Sequence, residues 1–212
     1  MALRDHSLDD KITSAALGEF LDKGYAGASL RKIAEKAGVT VGAIQTRYSS
    51  KDELFASLLK PFLGEIEALF SGVRAQYYSG AGGDILAQLK TSMLHESQAI
   101  LRLIFDHYEE TTLLLYKSAG SSLESCFDTL VKSKIEESAL FFRCAGYTGV
   151  DERLLGLLIS AQFDGYRRIV TECPDRQSAE KYMQSLMTYH YGGWVALFNS
   201  GKNTWGGICD EV

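Results

Sequence analysis

The chain has 212 residues, a formal net charge of −5, 46 % hydrophobic residues, two prolines and four cysteines. That length can bury a sizeable core, and the apolar share excludes a chain that is disordered throughout. Cys126, Cys144, Cys173 and Cys209 form no C-x-x-C pair and no dense disulfide framework, so reduced, buried thiols in a cytoplasmic protein are the expectation.

At the N-terminus, MALRDHSLDDK lacks the apolar run of a signal peptide. Beyond it, apolar residues recur at helical spacing and no strand-like alternation persists, so the fold class is all-α. The spacing predicts helices over 8–23, 29–37, 41–47, 51–78 (bending near Pro61), 84–106, 109–117, 121–145, 151–173 and 176–199. Ser7-x-x-Asp10 and Ser50-x-x-Glu53 read as capping boxes, and Asp151 and Asp175 as single caps. Gly24, Gly80 with Gly82 and Gly83, and Gly146 with Gly149 read as stops. The expected partition is a three-helix helix-turn-helix domain at 1–50, a larger helical body at 51–200 and a glycine-rich tail at 201–212.

Charge is spread unevenly. Residues 1–51 hold eight lysines and arginines against six acids, whereas 52–212 hold fourteen against twenty-one. Within the first block, Arg31, Lys32, Lys36, Arg47 and Lys51 face Glu35 alone between residues 24 and 51. A basic module on an acidic body is the electrostatic footprint of a nucleic-acid reader.

That basic stretch, Ser29-LRKIAEKAGVTVGAIQTRY-Ser49, is also the most patterned. Ile33, Ala37, Val39 and Ile44 suit a small shared core, with Leu30 and Tyr48 at its edge and Ala34 small where two helices cross. Gly38 permits a tight turn and Thr40 caps the second helix. In such a helix-turn-helix the second helix enters the major groove, and Thr40, Val41, Gly42, Ala43, Gln45, Thr46 and Arg47 face outward from it. A plain helical hairpin without a ligand is the alternative; the coincidence of caps, glycine turn, basic charge and small-residue face weighs against it.

Residues 12–59 resemble the DNA-binding module of the TetR family of bacterial transcriptional regulators. The run comprises Ile12–Lys23 with Gly24-Tyr25, then Ser29 to Ile44, then Tyr48-SSKDELF-Phe55. The resemblance implies a homodimer on palindromic operator DNA, usually a repressor, released when a small-molecule effector binds the C-terminal domain. It places Ser29 and Thr40 near phosphates, Val41, Gly42, Ala43 and Thr46 against bases, and Arg47 and Tyr48 along the backbone. Lys51, at the start of the fourth helix, would meet a phosphate with help from the helix N-terminus. Gln45 departs from the family, where an aromatic residue is usual; it reads an adenine or makes a weaker backbone contact.

In the body, aromatics with scattered polar groups outline an effector pocket: Gln98, Arg102, Phe105, His107, Tyr108, Tyr116, Phe127, Gln162, Phe163 and Tyr166. Each aromatic taken singly is more often simple core. Tyr182 to Gly201 is twenty residues without a formal charge, but its polar groups argue against a membrane span. Two apolar stripes there, Tyr182/Leu186/Tyr189/His190/Gly193/Leu197 and Met183/Met187/Trp194/Phe198, call for burial on two sides. One side would meet the protein's own core and the other a partner, and the resemblance implies that the last two helices pair into a four-helix bundle. The expected dimer residues are Leu158, Gln162, Ile169, Met183, Leu186, Met187, His190 and Trp194. No Glu-x-x-His, H-E-x-x-H, P-loop or G-x-S-x-G occurs, so no catalytic set, metal or other cofactor is expected. A helical-bundle enzyme, with Cys126 meeting His95 or His107, and an interaction module that ignores DNA are the rival readings.

Overall fold

The computed structural model describes residues 6–79, 84–144, 151–173 and 175–200. Among these residues there are nine helices and no strand: α1 (His6–Gly27), α2 (Leu30–Ala37), α3 (Val41–Gln45), α4 (Lys51–Ser79), α5 (Ile85–Asp106), α6 (Tyr108–Tyr116), α7 (Cys126–Cys144), α8 (Glu152–Glu172) and α9 (Arg176–Ser200). The protein is all-α, as its periodicity implies. The glycine stops at 80–83 and at 146 and 149, Cys209 and the tail at 201–212 lie outside the described residues.

The caps form where short polar side chains precede apolar runs. Thr40 accepts from the Ala43 amide at 3.1 Å, Asp151 from Leu154 at 2.8 Å and Asp175 from Ser178 at 2.8 Å. Ser50 Oγ accepts from the Glu53 amide at 3.0 Å, but the Glu53 carboxylate reaches back to the amide and hydroxyl of Ser49, one residue earlier than expected. Ser7 lies within α1, whose described residues begin at His6. Gly24 interrupts that helix at φ 69°, a left-handed conformation costly for any residue with a β-carbon. The seventh helix starts at Cys126 rather than 121. Ahead of it, Ser118 and Ser121 tie side chains and carbonyls into successive turns, an alternative that serine offers the backbone in place of a helix.

Two compact units emerge. The first comprises residues 1–66 and 106–128, so it takes in the start of α4 and all of α6 beyond the basic module. Its core joins Ile12, Ala16 and Phe20 of α1 to Ile33, Ile44, Leu54, Phe55 and Leu59, all fully buried. Phe20 and Phe55 meet edge to face at 5.0 Å. The second unit, 67–105 and 129–212, is built on α5, α7, α8 and α9. Phe142 packs on Trp194 and Phe198 at 5.4 and 5.3 Å, and Gly165 of α8 lets Leu186 of α9 approach closely. No helix among the described residues is long and apolar enough to cross a membrane.

Candidate nucleic-acid interface

The reader is assembled from α2, its turn and α3. Gly38 ends α2 in the left-handed conformation (φ 68°, ψ 34°), and its amide turns back to the carbonyls of Ala34 and Glu35. Ile44 buries the inner side of α3 completely. What remains outward is the expected face: Thr40, Gly42, Gln45 and Thr46 are exposed, and Val41 and Ala43 half-buried. Gly42 has open space beside the van der Waals contact of Thr40, so its surroundings admit close approach of another molecule. Exposed Arg31, Lys32 and Lys36 supply positive charge on the adjoining α2.

The remaining expected contacts have structural duties. Arg47 donates from Nε to Asp9 Oδ1 at 2.6 Å, with both side chains mostly buried, and from its terminal nitrogen to the Ala43 carbonyl at 3.3 Å. Tyr48 is buried in the core. Lys51 donates to the carbonyls of Tyr25 at 2.7 Å and Ala28 at 3.2 Å, with its ammonium 4.4 Å from the centre of the Tyr25 ring. Ser29 occupies the N-cap position of α2 in extended conformation, yet its hydroxyl makes no cap bond. Glu19 provides the missing anion. Its buried carboxylate accepts from Lys36 at 2.8 Å and from the Ser29 amide, and the Lys36 bond chiefly holds it below the usual carboxylate range. Neither Asp9 nor Glu19 stands out in the sequence; only the packing of α1 against α2 and against Arg47, just after α3, gives them partners.

Within the same unit, the segment 106–128 is fastened to the ends of α1 and the start of α4. Tyr25 donates its amide to the Lys117 carbonyl at 2.7 Å, and the Ser122 amide donates to Asp52 at 2.8 Å. The Ser122 bonds lower the Asp52 carboxyl, while burial first and Asp52 second push the Tyr25 phenol up. His107 is 3.0 Å from Glu65 and rests against Phe62.

The ten expected effector residues are divided between the two units. His107, Tyr108, Tyr116 and Phe127 belong to the first unit, whereas Gln98, Arg102, Phe105, Gln162, Phe163 and Tyr166 belong to the second. Gln98 and Arg102 line a cavity of about 420 Å³ between α5 and α9, with Met183 and Gln184 opposite. Gln162, Phe163 and Tyr166 are core: Gln162 donates to the Tyr166 hydroxyl at 2.5 Å, which faces Met187 Sδ at 3.4 Å. The expected dimer residues divide by stripe. Gln162, Ile169, Met183, Met187 and Trp194 are buried inside the protomer, because α8 packs against α9 along that side. Leu158, Leu186 and His190 are half-buried, and burial pulls the His190 imidazole below its ordinary value. The outward stripe carries Tyr182 and Tyr189, 58 % and 76 % exposed, and Leu157 of α8 is 66 % exposed. Cys126 and Cys173 are free and half-buried; burial is the main cause that raises both thiols.

Residues 12–58 match the model of the family described as bacterial regulatory proteins, tetR family. The HTH-type transcriptional activator FasR of Mycolicibacterium smegmatis is 29 % identical over 137 residues, which cover 61 % of this chain and 60 % of FasR. The match thus spans about three fifths of that relative's length. Two solved structures share the fold across most of both chains. A TetR-like transcriptional regulator from Rhodococcus sp. RHA1 aligns with a TM-score of 0.63 at 19 % identity, over 91 % of this chain and 100 % of its own. MexZ, a key repressor responsible for antibiotic resistance in Pseudomonas aeruginosa, aligns at 0.62 and 18 %, over 91 % and 96 %. The exposed α3 face, the family match and the shared fold agree: residues 12–58 form a DNA-binding module of the kind described for bacterial regulatory proteins of the tetR family, on a chain with the fold of TetR-like regulators.

Proposed function

We propose that the chain is a cytoplasmic, non-catalytic homodimer that represses transcription from a palindromic operator and leaves it when a small molecule binds. The observation that carries the reading is the outward α3 face, small at Gly42 and Ala43 and hydrogen-bonding at Thr40, Gln45 and Thr46, on a buried Ile44 anchor. Residues 1–50 read DNA, 51–200 bind effector and pair the protomers, and 201–212 form a peripheral tail. Val41, Gly42, Ala43 and Thr46 face bases, Gln45 reads an adenine edge, and Ser29, Thr40 and Lys51 approach phosphates. Two recognition helices of a two-fold dimer would stand one DNA turn apart, roughly 34–36 Å. An effector preferring a differently spaced dimer lowers operator affinity by shifting the population.

Repression is the reading carried by the family's usual habit; FasR is named an activator, so the sign is measured directly. Gel retardation with the intergenic DNA beside the gene, run across a salt series, should give a sequence-specific complex weakened by salt. A reporter driven by that DNA should fall when the protein is supplied. Equal affinity for unrelated DNA sinks the operator reading, and a rising reporter sinks repression alone.

A further inference from the structure

Two helices of the second unit face each other across a cavity of about 420 Å³. From α5, Leu94, Gln98, Leu101 and Arg102 line it, at i, i+4, i+7 and i+8. From α9, Arg176, Glu180, Met183 and Gln184 line it at the same spacing. That spacing keeps each set on one face of its helix, so two helical faces form the walls. The floor is closed: Leu101, Met183 and Ser97 are buried, and the Ser97 hydroxyl donates to the Leu94 carbonyl at 2.9 Å. Leu94 carries the apolar surface out to the rim, where it is 50 % exposed.

The polar groups at the rim select the ligand. Gln98, Arg102 and Gln184 are exposed, and among the described residues their side chains have no hydrogen bond or ion pair. Glu180, by contrast, is met by Arg176 at 3.5 Å. The uncommitted guanidinium of Arg102 only donates, and its planar fork matches a carboxylate through two parallel bonds. A head group that accepts is therefore the fit, and the amides of Gln98 and Gln184 can donate to the lone pairs that Arg102 leaves open. A cationic head would meet Arg102 and Arg176, with Glu180 already engaged. An apolar base with a few convergent polar groups is the ordinary form of a small-molecule site, of about 300–1,000 Å³. This cavity lies in the lower part of that range, which suits one ring or a short chain.

We propose that this cavity binds a small organic acid, its carboxylate forked on Arg102 and its apolar body on Leu94, Leu101 and Met183. Given the effector reading above, on which this second step rests, such an acid is the chemical class of the effector.

Isothermal titration of the full-length protein with 3-phenylpropionate and with hexanoate tests it, each against the amide and the amine of the same carbon skeleton. At least one acid should bind, about tenfold or more tightly than its amide, and the amines should not bind. Arg102→Gln should weaken that acid by about tenfold or more. Arg102→Lys should restore only part of the loss, because an ammonium keeps the charge without the fork. Leu94→Glu, which sets a carboxylate at the rim, should abolish binding. Both positions are exposed, so the variants should keep the wild-type circular dichroism. Should either fail to fold, the wild-type ranking of acid over amide decides. The proposal is overturned if neither acid binds, if an amide or amine binds as tightly as its acid, or if folded Arg102→Gln keeps wild-type affinity. An acid that binds without changing operator affinity upholds the site and overturns its assignment to the effector, whereas the operator reading stands or falls by gel retardation.

Discussion

Glu19 holds α1 against α2 through two partners, Lys36 and the Ser29 amide, and its side chain is almost fully buried. Glu19→Gln keeps the shape but removes the charge that strengthens both bonds, so it should lower the unfolding free energy by about 1–3 kcal/mol at pH 7 in urea titration. The sign with pH follows from the depressed carboxyl. Its stabilisation is complete above the unfolded carboxylate's ordinary value and fades as pH falls through the lower folded-state value. The variant should therefore lose most at neutral pH and converge on wild type in acid; a constant gap down to acid pH would refute the assignment. Lys51 has a double role: it covers the carbonyls that end α1 and is proposed to meet a phosphate. Lys51→Ala should weaken all DNA sequences alike, flatten the salt slope by about one unit and lower stability by about 1–2 kcal/mol. A slope identical to wild type would confine Lys51 to the protein side. In the sequence Lys51 is a cation at a helix start and Glu19 an acid in an amphipathic helix. Their partners lie at least 23 and 10 residues away, so only tertiary packing reveals them.

At the scale of elements, the α2–turn–α3 unit was legible because its determinants are local. Gly38, Thr40 and the buried Ile33 and Ile44 act within a dozen residues, and each does what its spacing implies. The start of α7 was not, since helical periodicity continues through a stretch where serine hydroxyls win the backbone. The stripes of α9 were legible as stripes, but which one faces inward depends on α8, and the Met183/Met187/Trp194 side proved to be core. Gly38→Ala tests the turn: open space surrounds its missing β-carbon, so the cost is backbone strain alone. It should remove about 1–2 kcal/mol in urea unfolding, and Gly38→Asn less, because asparagine tolerates the left-handed region. Losses that are equal, or near zero, would show that the turn does not depend on that conformation. On α3 itself, Thr46→Ala should change the ranking of operator variants in gel retardation, whereas Lys51→Ala should preserve it. Identical behaviour of the two would remove Thr46 from base reading.

For the whole molecule, the net charge of −5 conceals a basic first quarter and an acidic remainder. The outward stripe of α9 bears on how two such readers are joined. Tyr189 is 76 % exposed and Tyr182 58 %, large aromatic surface that a lone chain leaves in water and that a second copy would cover. Trp194, five residues beyond Tyr189, is 6 % exposed and belongs to the protomer's own core. The two positions therefore separate assembly from folding. Tyr189→Glu places a charge on the proposed interface but perturbs the protomer by only about 0.5 kcal/mol or less. It should convert a two-chain particle into a one-chain particle in light scattering, with its helical circular dichroism intact. Operator affinity should fall by about a hundredfold or more, because two linked half-site contacts become one. Trp194→Ala should instead cost about 3–5 kcal/mol of stability through the cavity it opens. If Tyr189→Glu remained dimeric and bound the operator as wild type, the pairing surface would have to lie elsewhere on the body. A Tyr189→Glu monomer that kept full affinity would break the link between pairing and half-site spacing on which the proposed release mechanism depends.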